Sequence, residues 1–187
     1  MLCWRLSSNL EAGFATQKPN DAAGKETRLI EGVRVIPLER HIDDRGYLYE
    51  IIHATDDFLP RFGQTYVVGS PARGTIRGFH RHDVLWDYFC IVRGTAKFIV
   101  ARHPDEDVKR ASDRGESLKP DQIETFVLSE RKPSMLIVPP GHWHGWMSLE
   151  DETLLLSTAS EVYNREKPDE LRVSPDVFGD VWSVKGR

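Results

Sequence analysis

Residues 77–94 read RGFHRHDVLWDYFCIVRG, and residues 139–146 read PPGHWHGW. In each stretch, histidines stand before an apolar run of β-strand length, and glycine or proline marks the boundaries. Small β-barrels bring the ends of several strands to one mouth. We therefore expect His80, His82 and His144 to line the pocket of a single barrel.

The rest of the chain, from Gly32 onward, also reads as short β-segments. They are rich in β-branched and aromatic residues, and glycine, proline or aspartate bounds them. The predicted strands lie near residues 33–36, 47–52, 64–68, 88–92, 96–100, 126–128, 135–138 and 153–157. Regular spacing of this kind favours an all-β sandwich or barrel.

The organisation of the chain is predicted to be simple. Residues 1–28 are polar and are expected to form a flexible tail, or an arm that pairs with a partner subunit. Residues 29–187 are expected to form one domain. Within it, Arg93-Gly94 predicts a tight hairpin turn, residues 103–121 predict a long exposed connection, and residues 164–187 are expected to wrap the outside.

Composition excludes several classes of protein. The 187 residues carry a net charge of −4 without a long basic cluster, which argues against nucleic acid as a partner. We expect no membrane segment and no signal peptide, because no apolar run is long enough. Only Cys3 and Cys90 are present, and Cys90 sits in an apolar run as a core residue. A reducing, cytoplasmic location is therefore expected.

The histidines also form a metal-binding pattern. His80 and His82 are two residues apart, so in a strand both side chains point to the same face. Asp87 follows, and His144 ends a Pro-x-Gly-x-x-His turn. This arrangement resembles the two-part metal motif of the cupin barrels. Three imidazoles and a carboxylate would suit Fe(II), Mn(II), Zn(II) or Ni(II), so a metal site at His80, His82, Asp87 and His144 is one expectation.

A second resemblance covers residues 31–182. Its motifs are Gly-Val-x-Val-Ile-Pro-Leu at 32–38, Asp-Arg-Gly-Tyr-x-x-Glu at 44–50, Gln64, Arg-Gly-Phe-His at 77–80 and Ile-Val-Pro-x-Gly-x-x-His-Gly-Trp at 137–146. In these the chain resembles the dTDP-4-dehydrorhamnose 3,5-epimerase family. The resemblance implies a single-domain, all-β jelly-roll cupin, a double-stranded β-helix that forms a homodimer. It also implies a nucleotide-sugar isomerase of carbohydrate biosynthesis, such as the dTDP-rhamnose pathway.

The resemblance implies a mechanism and roles for particular residues. Family members remove a proton next to the keto group of a dTDP-4-dehydro-6-deoxyhexose and return it on the opposite face, without a metal cofactor. His80 falls on the catalytic base, and Asp176 is the best candidate for its carboxylate partner. The residues that fall on substrate-binding positions are Arg45, Glu50, Gln64, Arg77, His144 and Tyr163.

Two positions depart from the family pattern. Asp87 stands where the family usually carries a lysine, and Ser157 stands where it carries the tyrosine general acid. A proton donor and a cation that stabilises the enolate are therefore both absent from their expected places. These departures indicate a divergent member of the family, with an altered sugar reaction or a bound metal. The alternatives are a metal-dependent cupin enzyme and a sugar-nucleotide-binding cupin without catalysis.

Overall fold

A computed structural model describes residues 30–184, which form twelve β-strands and one α-helix. The tail predicted for residues 1–28 lies outside the described residues and stays a prediction, as does the domain boundary at residue 29. The strands are β1 (Arg34–Pro37), β2 (His41–Asp43), β3 (Gly46–Leu48), β4 (Gln64–Ser70), β5 (Ile76–Arg81), β6 (Asp87–Arg93), β7 (Thr95–Arg102), β8 (Gln122–Ser129), β9 (Ser134–Val138), β10 (Trp143–Ser148), β11 (Thr153–Ala159) and β12 (Leu171–Arg172), and the helix is α1 (Asp105–Arg114).

Two five-stranded antiparallel sheets face each other across the main core. The first has the strand order β1-β9-β6-β11-β4 and the second the order β12-β5-β10-β7-β8, while β2 and β3 form a separate hairpin. Phe89 and Leu136 of the first sheet pack with Phe98 and Val100 of the second in one buried cluster. Alternate side chains of each strand point to this core, because strand residues alternate between faces. The predicted all-β jelly-roll barrel is confirmed.

The outer face of the second sheet is also buried. Helix α1 contributes Val108 to an apolar cluster there, and the C-terminal segment contributes Phe178 and Trp182. Phe178 meets the ring of Phe79, from β5, edge to face at a centroid distance of 4.8 Å. The described part of the predicted outer segment, up to residue 184, therefore covers the sheet that carries the histidines.

The prediction of a tight hairpin at Arg93-Gly94 is wrong. Strands β6 and β7 lie in different sheets, so this turn carries the chain from one sheet to the other. Gly94 has a φ of 78°, which favours glycine, and its N–H donates to Glu130 Oε1 at 3.0 Å. Each of the two strands is already flanked by two partners in its own sheet, so they cannot pair with each other.

The exposed connection predicted for residues 103–121 contains helix α1. Asp105, Glu106 and Asp107 fill its first turn, where acidic side chains favour the helix dipole, and Gly115 ends it in a left-handed conformation. Only Val108 and Ala111 of its residues are buried, so the helix is amphipathic with a narrow apolar face. Within residues 30–184, no helix is long and apolar enough to cross a bilayer.

Candidate active site

A cavity of about 780 Å³ is lined by strands of both sheets. The first sheet contributes β4, β6 and β11, the second contributes β5 and β10, and a segment between residues 162 and 173 adds further side chains. This volume lies within the range of pockets that enclose small-molecule ligands. The wall combines apolar residues with several ionisable groups, which is the composition of a site that both binds and reacts.

The three histidines that the sequence placed in one pocket do meet in this cavity. His80 on β5 pairs across the ladder with His144 on β10, and their ring centroids are 4.8 Å apart. His82 lies just beyond the end of β5, with its centroid 5.6 Å from that of His144. Gly78 and Gly145 allow the two strands to approach closely, since a Cβ built at Gly78 would lie only 2.8 Å from the Cα of Gly145.

His80 is set up to accept a proton. Burial, assisted by the neighbouring His144 and His82, lowers the pKa of His80 well below its usual value, so its ring is neutral near pH 7. Glu170 Oε1 lies 4.0 Å from His80 Nδ1, and Arg172 Nη2 holds the same carboxylate at 2.8 Å. The pairing of Arg172 with His80 between β12 and β5 places Glu170 there.

The predicted carboxylate partner, Asp176, is not near His80. It is an exposed residue outside the cavity, and its N–H donates to Ser174 Oγ at 3.2 Å. The following residues, Val177 and Phe178, are buried in the outer cluster of the second sheet. That packing directs the segment away from the cavity, and the carboxylate beside His80 is Glu170 instead.

Three further residues predicted to bind substrate line the cavity with the histidines. Arg77 lies on β5, and its Nη2 donates to the carbonyl oxygen of Gly69 at 3.2 Å. Gln64 begins β4, and its Oε1 accepts from the N–H of Tyr163 at 3.1 Å. The structure therefore brings Gln64, Arg77, Tyr163 and His144 to the same cavity as His80.

Arg45 and Glu50, the other two predicted substrate residues, do not line this cavity. Arg45 connects β2 and β3, and its side chain is 85% exposed and paired with Asp43. Glu50 follows β3, where its carboxylate lies 3.3 Å from the exposed ring of His53. Both residues stand on or beside the β2–β3 hairpin, outside the barrel of their own chain.

Tyr66 is a cavity residue that the sequence reasoning missed. It lies on β4 directly across the ladder from Ser157 on β11, the position where the family general acid was expected. Burial raises the pKa of Tyr66, and the charges of Asp87 and Glu170 raise it further. The phenol is therefore protonated near neutral pH and can act as a proton donor. The register between β4 and β11 placed it there, and no local sequence signal reports that register.

Asp169 was also missed, and it organises the turn between two of the functional side chains. Its carboxylate accepts hydrogen bonds from the backbone N–H groups of Asp83, Val84 and Leu85, each at 2.9 Å. Its backbone carbonyl contacts His82 Nδ1. One residue thus holds the turn that connects His82 to β6 and orients the His82 ring.

The fold and this cavity define the class of protein. Two facing antiparallel sheets with a histidine-lined cavity between them form a cupin jelly roll of the kind built by nucleotide-sugar epimerases. The family model described as dTDP-4-dehydrorhamnose 3,5-epimerase matches residues 27–185. The chain therefore belongs to this family, as the sequence resemblance indicated.

Curated relatives and a solved structure agree with this assignment. Spore coat polysaccharide biosynthesis protein SpsL of Bacillus subtilis is 30% identical, over 85% of this chain and 100% of its own length. The probable low-salt glycan biosynthesis epimerase Agl13 of Haloferax volcanii is 28% identical over 79% and 89%. The structure of NovW, a 4-keto-6-deoxy sugar epimerase of Streptomyces spheroides, is 25% identical with a TM-score of 0.64, covering 82% of this chain and 76% of its own. The predicted enzyme class, a nucleotide-sugar epimerase or isomerase, is confirmed at the level of the family.

Proposed function

We propose that this protein is an epimerase or isomerase of a dTDP-linked 4-keto-6-deoxyhexose. It acts by removing a proton from a carbon next to the keto group. The position of His80 carries the proposal, since its ring lines the cavity with a carboxylate 4.0 Å behind Nδ1. With Nδ1 turned toward Glu170, Nε2 is the nitrogen that takes the proton from the carbon next to the carbonyl. The electron pair of the broken C–H bond moves to the carbonyl oxygen, and an enolate results.

Two arginines support a substrate that carries a diphosphate. Arg77 and Arg172 both line the cavity that contains His80. Guanidinium groups bind phosphate oxygens through paired, charge-assisted hydrogen bonds. If the diphosphate binds there, the hexose attached to its terminal phosphate would lie beside the histidines. A dTDP-sugar has its groups in this order.

The proposal is tested by hydrogen exchange in D₂O. Purified protein is mixed with a dTDP-4-keto-6-deoxyhexose, and deuterium at the carbons flanking the carbonyl is followed by NMR. We expect deuterium to enter at one or both carbons and the configuration to change. Saturable binding of dTDP without any exchange would leave a sugar-nucleotide-binding cupin as the explanation and reject the enzyme.

Tyr66 is the proposed proton donor for the opposite face of the enolate. Replacing it by phenylalanine removes only the hydroxyl, so we expect product formation to fall about 10²-fold, as for loss of a general acid. Exchange of the abstracted hydrogen with D₂O should persist within a factor of about three, because His80 remains. NMR of the sugar measures both quantities in one sample.

The control for this variant is Tyr88→Phe, a tyrosine outside the cavity whose hydroxyl donates to the carbonyl oxygen of Phe58, and it should leave both quantities unchanged. If Tyr66→Phe forms product at the wild-type rate, the donor lies elsewhere. If exchange falls as far as product formation, Tyr66 contributes to proton removal and the division of roles is wrong.

We also propose that the protein acts as a homodimer. The β2–β3 hairpin exposes Ile42, Tyr47 and Leu48, at 75%, 59% and 60% of their surface, and it carries Arg45. A partner that covers this apolar hairpin would bring Arg45 toward a second cavity and account for a substrate residue outside its own barrel. Light scattering after gel filtration should give twice the chain mass, and Leu48→Glu should give the single mass.

A further inference from the structure

Three ligating side chains meet at one point in the cavity wall. His82, Asp87 and His144 each present one ligand atom, and these atoms all lie within 4.8 Å of one another. Asp87 Oδ2 is 3.5 Å from His82 Nε2 and 3.3 Å from His144 Nε2. The three side chains are only 13%, 3% and 5% exposed, so water screens this cluster poorly.

The hydrogen bond made by Nδ1, the ring nitrogen that points away from Asp87, determines which nitrogen of each imidazole carries the hydrogen. His144 Nδ1 lies 3.1 Å from the carbonyl oxygen of His142, and His82 Nδ1 contacts the carbonyl oxygen of Asp169. A carbonyl oxygen only accepts, so each Nδ1 is the protonated nitrogen. In the neutral rings, both Nε2 atoms therefore hold a lone pair, and both face Asp87.

Three acceptors thus converge on one buried point. Asp87 Oδ2 has no hydrogen-bond partner among the described residues. An ionised carboxylate buried against two nitrogen lone pairs is strongly unfavourable, because it is a buried charge without a partner. The cluster needs positive charge at its centre, either as added protons on the two rings or as a metal cation.

The spacing favours a metal cation over protons. An imidazolium that donates to a carboxylate draws it to about 2.8 Å, whereas ligand atoms bound at about 2.1 Å around a tetrahedral ion lie about 3.4 Å apart. The two distances from Asp87 Oδ2, 3.5 and 3.3 Å, match the second arrangement. The two imidazole nitrogens lie within 4.8 Å of each other, so they must approach by up to about 1.4 Å, which rotations of the two rings can provide.

We propose that His82, Asp87 and His144 bind one divalent transition-metal ion of the Zn(II) or Co(II) type. Two imidazoles and a carboxylate suit such ions, and three protein ligands leave a coordination position open toward the cavity. The hydrogen bonds from Nδ1 to backbone carbonyls are the outer contacts that orient metal-binding histidines. When bound, the ion supplies a Lewis acid beside a substrate carbonyl, at the place where the family pattern has a lysine.

This site has three ligands and not the four predicted from the sequence. His80 is not among the converging ligand atoms, and its Nδ1 faces Glu170 at 4.0 Å. His80 is thereby left to act as a base, and the metal site and the base become neighbours with separate roles. Metal binding at the three residues does not depend on the proposed function and is measured without any sugar nucleotide.

The experiment uses the full chain without a histidine tag, treated with a chelator and then dialysed. Zn²⁺ is titrated calorimetrically, bound metal is counted by elemental analysis, and Co²⁺ is added to record visible absorption. We expect about one equivalent per chain and the intense bands of low-coordinate Co(II). A bound equivalent should also raise the melting temperature, because a ligand that binds only the folded state stabilises it.

The matched variants are His82→Asn, Asp87→Asn and His103→Asn, each checked for folding by circular dichroism. The first two should bind at least about 10-fold more weakly, since loss of one ligand or outer contact costs this much. His103 lies 3.3 Å from Asp121 outside the cavity, so His103→Asn should keep the wild-type stoichiometry. Less than about 0.1 equivalent in the folded wild type, or unchanged binding in both ligand variants, would overturn the proposal.

Discussion

His80→Asn will lower kcat/KM for the sugar nucleotide by about 10² to 10⁴-fold, the range typical of a lost general base. Asparagine keeps much of the shape of imidazole but cannot take a proton near neutral pH. Deuterium incorporation next to the keto group should fall by the same factor, since both depend on removal of that hydrogen. Binding of dTDP should remain within about threefold by calorimetry, because the proposed diphosphate site consists of the arginines and not of His80.

A second histidine provides the control for this variant. His142 lies two residues from His144, but it is outside the cavity and its Nδ1 contacts the carbonyl oxygens of Pro139 and Pro140. His142→Asn should therefore react within a factor of about two of wild type. If His80→Asn keeps more than about a tenth of the wild-type exchange rate, the base is another group and the proposed mechanism fails.

Gly145→Ala will destabilise the fold by about 3 kcal/mol and reduce activity in the protein that still folds. A Cβ at this position would lie 2.9 Å from the carbonyl oxygen of Arg77 and 2.9 Å from the Cα of Gly78. Both contacts are with backbone, so β5 and β10 must move apart, and those strands carry His80 and His144. Urea denaturation followed by circular dichroism measures the loss of stability.

Gly69→Ala is the matched control for this substitution. Gly69 also lies in a strand, but its added Cβ would meet only a side-chain atom of Leu154, at an ordinary 3.6 Å. We expect its free energy of unfolding to change by less than about 1 kcal/mol. Equal free energies of unfolding for the two variants would mean that the close packing of β5 on β10 does not contribute to stability.

Much of the fold was predictable because its signals are local. Alternation places His80 and His82 on one face of a strand, and the glycine and proline boundaries mark where strands begin and end. Even the helix missed at Asp105–Arg114 has local signals, with three acidic residues in its first turn and Gly115 at its end. The hairpin predicted at Arg93-Gly94 failed because a glycine turn looks alike whether the two strands share a sheet or not.

The candidate site was predictable only in part, for a related reason. Glu170 reaches His80 through the pairing of β12 with β5, and Tyr66 meets Ser157 through the register of β4 on β11. Both are contacts between residues far apart in the chain. In the C-terminal segment, packing determines that Glu170 and not Asp176 is the carboxylate beside His80. Phe178 is buried against Phe79, and Asp176 is therefore exposed.

The sequence alone determined that this is an all-β barrel with His80, His82 and His144 in one cavity, and it indicated the family. Periodicity, turn residues and motif spacing are properties of short segments, so they can be recognised without knowing which strand is the partner. The tertiary structure decided which carboxylate stands behind His80, which phenol faces the cavity, and which two histidines converge on Asp87. Those choices depend on sheet register and on side-chain packing between distant segments, where a shift of one residue reverses the face that a side chain occupies.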